Sequence, residues 1–188
     1  MQRLRRFYRY LLLCFLFFSP AVQANLFSVS EQEVNDYLAK KGDISDKLGM
    51  PGLFQIDYDL QNLSAKIGQA DKDRIEISGT IDGLFNLGKQ NYVGKIDLVV
   101  DTIPYYNAEQ GAVYLKDLRI KQWSGSPQQY MEKINPVMPL VSRAIATLLT
   151  TMPIYTLDES KPRDLLIKKF AKGIRVEQGK LSLETEIL

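Results

Sequence analysis

Histidine does not occur in this chain of 188 residues, and cysteine occurs once, at Cys14. Without an imidazole, Ser-His-Asp and Cys-His arrangements are excluded, and a metal site would lack its commonest ligand. No phosphate-binding glycine loop is present. Tryptophan occurs once, and there is no low-complexity segment or internal repeat. The apolar run Leu11 to Phe18 is far short of the roughly 20 residues that cross a bilayer. The carboxylates that remain are a weak catalytic inventory. Asp57 with Asp59, and Asp97 with Asp101, fall on alternating strand positions, where acids usually form a solvated face. An acid-dependent hydrolase using Asp57 or Asp59 is therefore a remote reading. Asp71-Lys72-Asp73 lacks the glycine and terminal glutamate of a calcium loop and reads as a turn. The expectation is a non-enzymatic protein with no cofactor and no metal.

The N-terminus carries a positive charge cluster (Arg3, Arg5, Arg6, Arg9), then the apolar run, then Ser19-Pro20 and the small residues Val22 and Ala24. That layout predicts a signal peptide over residues 1–24, cleaved after Ala24, and export to the periplasm. Cys14 sits inside the apolar run with Leu13 before it, where lipoprotein processing wants a small residue. The expectation is that Cys14 is not lipidated and is lost with the signal. Removing four arginines and no acids turns the formal charge from +2 to −2, which argues against a nucleic-acid partner. Residues 25–188 are then one domain, long enough for a real core.

The organising stretch is Ser126 to Met152. Its apolar residues Met131, Ile134, Met138, Val141, Ile145, Leu148 and Met152 recur at steps of three and four, a helical stripe. Ser126-Pro127 reads as cap and first residue, and Pro153 as the stop. A continuous helix here would span roughly 40 Å. Pro136 and Pro139 each remove a hydrogen bond, and Asn135-Pro136 offers the start of a second helix.

Around this stripe the sequence predicts strands. Ser30 and Glu33 have capping-box spacing for a first helix that closes at Gly42, with Val29 and Val34 as its staple. Gly49-Met50-Pro51-Gly52 reads as a turn. Phe54, Ile56, Tyr58 and Leu60 then alternate with polar residues, and the parity shifts at Leu63, Ala65 and Ile67, predicting a bulge near Asn62. Ile75 to Ile81 and Tyr92 to Pro104 give two further strands. Val113 and Leu115 switch to Leu118 and Ile120, a second parity break. Two strands bent at matching points predict a sheet that curls. After the stripe come a short strand at 154–157, a helix near 161–172 with Leu166 and Phe170 inward and Gly173 as cap, and a closing hairpin over 174–187. Strands and helices are grouped, so the fold class is α+β.

Several segments carry a family resemblance: Ser30-Glu31-Gln32-Glu33-Val34-Asn35, Leu38-Ala39-Lys40, Gly49-Met50-Pro51-Gly52, Asn62-Leu63 with Ile67-Gly68, Gly111 to Lys116, and Ala171-Lys172-Gly173-Ile174. In that order, across the mature chain, they resemble the YceB-like family of small bacterial envelope proteins, usually lipoproteins. The resemblance implies the tubular lipid-binding (TULIP, or BPI-like) fold, in which a strongly curved antiparallel sheet wraps a long helix around an apolar interior. It transfers no catalytic residue. Leu13-Cys14 departs from the family's lipidation signal, and Pro136 stands beside the proline at Pro139.

The leading expectation is a periplasmic binding protein for a lipid or other hydrophobic small molecule, held between the long helix and the curved sheet. Its expected lining is Phe54, Ile56, Tyr58, Met131, Ile134, Met138, Val141 and Ile145, since methionine adapts to irregular ligands. The alternative is a structural or adaptor protein of the envelope with a solid core. Its partner surface would lie around Tyr105, Tyr106 and Trp123.

Overall fold

Period-two alternation of Ile, Leu, Phe and Tyr against polar residues makes most of this molecule strand. The computed structural model describes residues 27–50, 54–69, 71, 73–87 and 89–185. The signal-peptide reading, Cys14, the Pro51-Gly52 turn, Lys72 and the end of the hairpin lie outside those residues. In chain order the elements are β1 (Ser28–Ser30), α1 (Glu31–Lys41), β2 (Ile44–Met50), β3 (Phe54–Ile67), β4 (Ile75–Leu87), β5 (Gln90–Asn107) and β6 (Ala112–Ser126). There follow α2 (Gln128–Ile134), a 3-10 turn (Asn135–Val137), α3 (Met138–Thr151), β7 (Tyr155–Thr156), α4 (Pro162–Phe170), β8 (Ala171–Glu177) and β9 (Lys180–Thr185). The class is α+β.

Strands β2-β3-β4-β5-β6-β7 form one antiparallel sheet in that order, and β1-β9-β8 form a second, small one. Both parity breaks are bulges. In β3 the register runs from Gln61↔Thr80 to Ser64↔Ser78, one residue extra on β3, with Asn62 at φ 54°. In β6 it runs from Arg119↔Asp101 to Lys116↔Ile103, one residue extra on β6, with Asp117 at φ 51°. Aspartate and asparagine tolerate this left-handed conformation better than other side chains do. A further shift lies between Val99 and Val100.

The continuous helix expected over 126–152 does not form. Ser126 ends β6, its bond to Pro127 is cis, and α2 begins at Gln128 without a side-chain cap. After one 3-10 turn, α3 covers 14 residues, about half the expected length. Pro136 and Pro139 bring no N–H to the helical ladder, so the chain re-nucleates at Met138, whose amide donates to the Asn135 carbonyl. The stripe survives the break. Met131 and Ile134 on α2, and Met138, Val141, Ile145 and Leu149 on α3, are all buried. Helix α3 lies against β6 and, at the other end of the sheet, against β2.

The capping box forms as read, with Ser30 and Glu33 bonded to each other's backbone amides and Val29 and Val34 buried together. Four readings change. Gly49 and Met50 close an edge strand, β2, too polar to read as one. β5 runs past Pro104 to Asn107. Helix α4 ends at Phe170, and Gly173 lies in a register shift of β8 instead of capping the helix. Finally, α4 turns Asp164 and Ile167 inward, leaving Leu166 and Phe170 exposed. Asp164 takes the inner position because its carboxylate accepts the Asp158 amide (2.9 Å) and the Arg163 Nε–H (3.0 Å).

Candidate ligand site

The β3 bulge shapes the interior. By reversing parity, it puts Leu60 and Leu63 on one face of the sheet, both opposite Gly79 of β4. A methyl placed on Gly79 would lie 3.0 Å from Leu63 Cδ2 and 3.4 Å from Leu60 Cδ1. With no side chain there, a cavity of about 40 Å³ remains. Ile56, Tyr58, Leu60 and Leu63 form its β3 wall, with Ile77 and Ile81 from β4 and Leu98 and Val100 from β5. Helix α3 closes it with Ile145, Leu148 and Leu149. Of the two hydroxyl-bearing residues in its lining, Tyr58 and Ser78, the second is already bonded through Oγ to Ser64 Oγ at 2.7 Å. Such a space offers water almost no partners and suits hydrocarbon.

A second depression, about 330 Å³, lies between edge strand β2 and α3. Asp46, Lys47 and Gly49 form one bank, and Arg143, Thr147 and Thr151 the other. Tyr58 and Leu148 belong to both this groove and the inner cavity, so they are the partition between them. On its polar side, Lys47 pairs with Asp57 at 2.8 Å. The Lys47 ammonium holds the Asp57 carboxyl below its usual range, against some desolvation and with help from Gln55. Burial, and then the Asp46 charge, push the Tyr58 hydroxyl up. A carboxylate stabilised as the anion is the reverse of what a general acid near neutrality needs.

All eight residues expected to line a site are buried in one core. Ile56, Tyr58 and Ile145 reach the cavity; Phe54, Met131, Ile134, Met138 and Val141 are packed elsewhere in that core. Met131 instead sits on the backbone of Gly125, where an added methyl would fall 2.1 Å from its sulfur. The bulge was read from the parity break at Leu60/Leu63, but Gly79 and the partition residue Leu148 were not among the expected lining residues. The aromatic surface expected around Tyr105, Tyr106 and Trp123 does not exist as a unit. Tyr106 is buried, Trp123 packs against the core, and Tyr105 stacks on Tyr114 at 5.8 Å.

Two charge clusters, also missed, tie distant segments together. Arg74, 4% exposed, bonds the Asp101 carboxylate (2.8 Å) and carbonyl (3.2 Å), the Asp117 carboxylate (2.7 Å) and the Asp117 carbonyl. Arg163 pairs with Glu33 (2.7 Å) and Asp164 (3.0 Å), locking α4 to the start of α1. Beside it, burial, Asp164 and Glu33 push the Tyr155 hydroxyl up to about 12. These charges satisfy one another, which is the signature of structural clamps.

The chain is 27% identical over 164 residues to the uncharacterized lipoprotein YceB of Salmonella typhimurium, covering 85% of this chain and 86% of that protein. It is 27% identical over 162 residues to the same-named protein of Escherichia coli, with the same coverage. A crystal structure of lipopolysaccharide binding protein aligns at a TM-score of 0.32 and 12% identity, over 86% of this chain and 50% of that one; the chain spans half its length. The YceB-like resemblance read from the motifs therefore holds. The relatives overturn one expectation: proteins matched over 85% of this chain are named lipoproteins, against the reading of a free periplasmic chain not lipidated at Cys14. That reading rested on Leu13 and on the place of Cys14 inside the apolar run, and similarity over 85% of the chain outweighs both. Matched over residues 29–180, the chain belongs to the family described as "Protein of unknown function (DUF1439)".

Proposed function

We propose that this protein is a non-enzymatic envelope protein that takes a lipid or other apolar ligand between α3 and the six-stranded sheet. The observation that carries the reading is the hydrocarbon-lined cavity at Gly79, separated from the β2–α3 groove only by Tyr58 and Leu148. Small-molecule sites hold roughly 300–1,000 Å³, so the cavity of about 40 Å³ must widen to take a ligand. The ligand enters when β2 and α3 part. Among the described residues β2 pairs with β3 alone, and α3 starts at a proline-containing 3-10 turn, which supports movement at these two banks. Contacts of α3 with both β2 and β6, which have three strands between them, support the reading that the sheet wraps the helix. Burial at about 25 cal/mol per Å² of apolar surface supplies the affinity.

Native mass spectrometry of the protein from its own membrane, then lipid extraction and titration with a fluorescent fatty acid, tests this. A discrete added mass, lost in a folded Leu148→Asp variant, is expected. Full uptake by that variant refutes the site. The small volume also favours a second reading, an adaptor with a solid core. Bare protein that refuses lipid on titration would establish it.

The relatives' name carries to this chain the proposal that it is held at a membrane by lipid on Cys14, its only thiol. Metabolic labelling with an alkyne fatty acid should mark the chain and fail on Cys14→Ser; equal labelling of both excludes Cys14.

A further inference from the structure

Helix α4 shows an apolar face to solvent. Leu165, Leu166 and Phe170 are 48%, 41% and 41% exposed, among the few large hydrophobic side chains exposed in the described residues. The inner side is fixed by Asp164 and Ile167, both fully buried, so the helix cannot roll to hide this face without unpairing a buried carboxylate. Cations rim it. From Asp158 to Lys172 five lysines and arginines stand against three carboxylates, in a chain that is net acidic after residue 24. Lys161 and Lys168 engage Asp158 and Glu159. Lys169 and Lys172 have no carboxylate partner among the described residues, and Lys169 Nζ lies 5.4 Å from the Phe170 ring centroid.

We propose that α4 is a docking surface for an anionic phospholipid bilayer. A short helix with leucine and phenylalanine on one side and lysines around them is the composition of an interfacial helix. The apolar residues enter the headgroup boundary, while unpaired lysines meet anionic lipid and their stems snorkel. The path of the chain agrees. The Phe27 carbonyl accepts the Leu183 amide of β9 at 2.7 Å, and Ala171, the residue after α4, pairs with Thr185 of the same strand. Phe27, the first described residue, therefore stands across β9 from the C-terminal end of α4. A lipid tether on Cys14 would join the described fold on this side, so the approach of this face to a bilayer rests, in this respect, on that proposed anchorage. A second copy of the chain is a poor occupant, because three side chains fall well short of the roughly 800 Å² per partner of a stable interface. The surface is independent of what the α3 cavity holds.

The test is hydrogen exchange of the full chain reconstituted into vesicles of phosphatidylcholine, with and without phosphatidylglycerol. Both preparations carry the same N-terminal anchorage, so only the surface charge differs. The α4 amides 165–170 should exchange about tenfold more slowly on the anionic vesicles, with the β4 amides unchanged. The protection should shrink at high salt. It should vanish in Lys169→Glu/Lys172→Glu and in Leu166→Asp/Phe170→Asp, all exposed positions whose change leaves the core intact. Equal exchange on the two vesicle types overturns the proposal. So does full protection in the lysine variant, or equal protection without vesicles at raised protein concentration, which would mean self-association.

Discussion

Two bulges four residues apart along β4 show the same backbone device put to opposite uses. At Asn62 the extra residue of β3 brings two leucines onto one face opposite a glycine and leaves space. At Asp117 the extra residue of β6 turns a carbonyl and a carboxylate toward Arg74, and the guanidinium fills the distortion. Thr102 adds a hydroxyl bond to the Lys116 carbonyl at 2.8 Å on the same side. One bulge has only neutral hydrogen bonds at its flank, Ser64 to Ser78 and Asn35 to Ala65, and an imperfect apolar fit inside. The other is held by charge-assisted hydrogen bonds to a buried cation. The expectation is that the first yields before the second, on the side of the proposed ligand entry between α3 and β2.

The largest expected effect is at the rigid bulge. Arg74→Met leaves the Asp101 carboxylate, 7% exposed, without its counter-charge. Breaking a buried pair costs ~3–5 kcal/mol. Asp117 is 54% exposed and can turn to water, so the low end applies, about 3 kcal/mol, or ~6–12 °C in Tm. Thermal unfolding of the two chains measures it, and adding Asp101→Asn should recover part of the loss. A loss below about 1 kcal/mol would mean that the two bulges do not differ in kind.

At the yielding bulge the expected change is smaller and of uncommon sign. In Gly79→Ala the new methyl comes closest to the flexible ends of Leu63 and Leu60, with the Gln61 carbonyl oxygen at an ordinary contact of 3.5 Å. Replacing glycine in a strand gains ~0.5–1 kcal/mol of unfolded-state entropy. Moving Leu63 by a few tenths of an ångström returns part of it, so urea midpoints should stay level or rise slightly. Ligand uptake should fall, since the methyl occupies the cavity. A loss of about 2 kcal/mol or more, as for an overpacked core, would show that the space there does not yield.

Much of this contrast was legible in the chain before its folding. The parity changes at Leu60/Leu63 and Leu115/Leu118 gave both bulges, because strand alternation reports directly which face a side chain takes. The helical stripe gave the buried residues of α2 and α3 but overstated their continuity, since a stripe does not register missing amide donors at Pro136 and Pro139. Periodicity states that Met138 or Val141 is buried, not that it borders a void. The void arises where Gly79 falls opposite the bulge, and that depends on the β3–β4 register. The Arg74 cluster was illegible for a similar reason: its partners stand 27 and 43 residues away. Helix α4 was read upside down, because hydrophobicity favoured Leu166 and Phe170 while a local carboxylate bond network claimed the interior for Asp164. Strand β2 was invisible, its edge position tolerating Ser45, Asp46 and Lys47.

The finest test of the contrast is electrostatic and asks only about Asp117. Its hydrogen bond with Arg74 holds the carboxyl below the usual carboxylate range, outweighing slight desolvation, with Arg119 adding to the effect. A carboxyl whose pKa is lower in the folded state than in the unfolded one stabilises the fold at pH values above the unfolded pKa. That contribution disappears as pH falls through the folded value. Asp117→Asn keeps a side chain that tolerates φ 51° and can still accept from Arg74, but it has no proton to gain. Near neutrality the variant should be slightly less stable than the parent, because an exposed charge is screened. Below about pH 4 the two stabilities should converge, which denaturant titrations at stepped pH would show. The same titration on Asn62→Asp offers the control: among the described residues no ion pair involves the yielding bulge, so a new carboxylate there should bring no such acid-side loss. Parallel pH profiles for Asp117→Asn and the parent would mean that the Arg74 bulge is held by shape and backbone carbonyls, with charge contributing little.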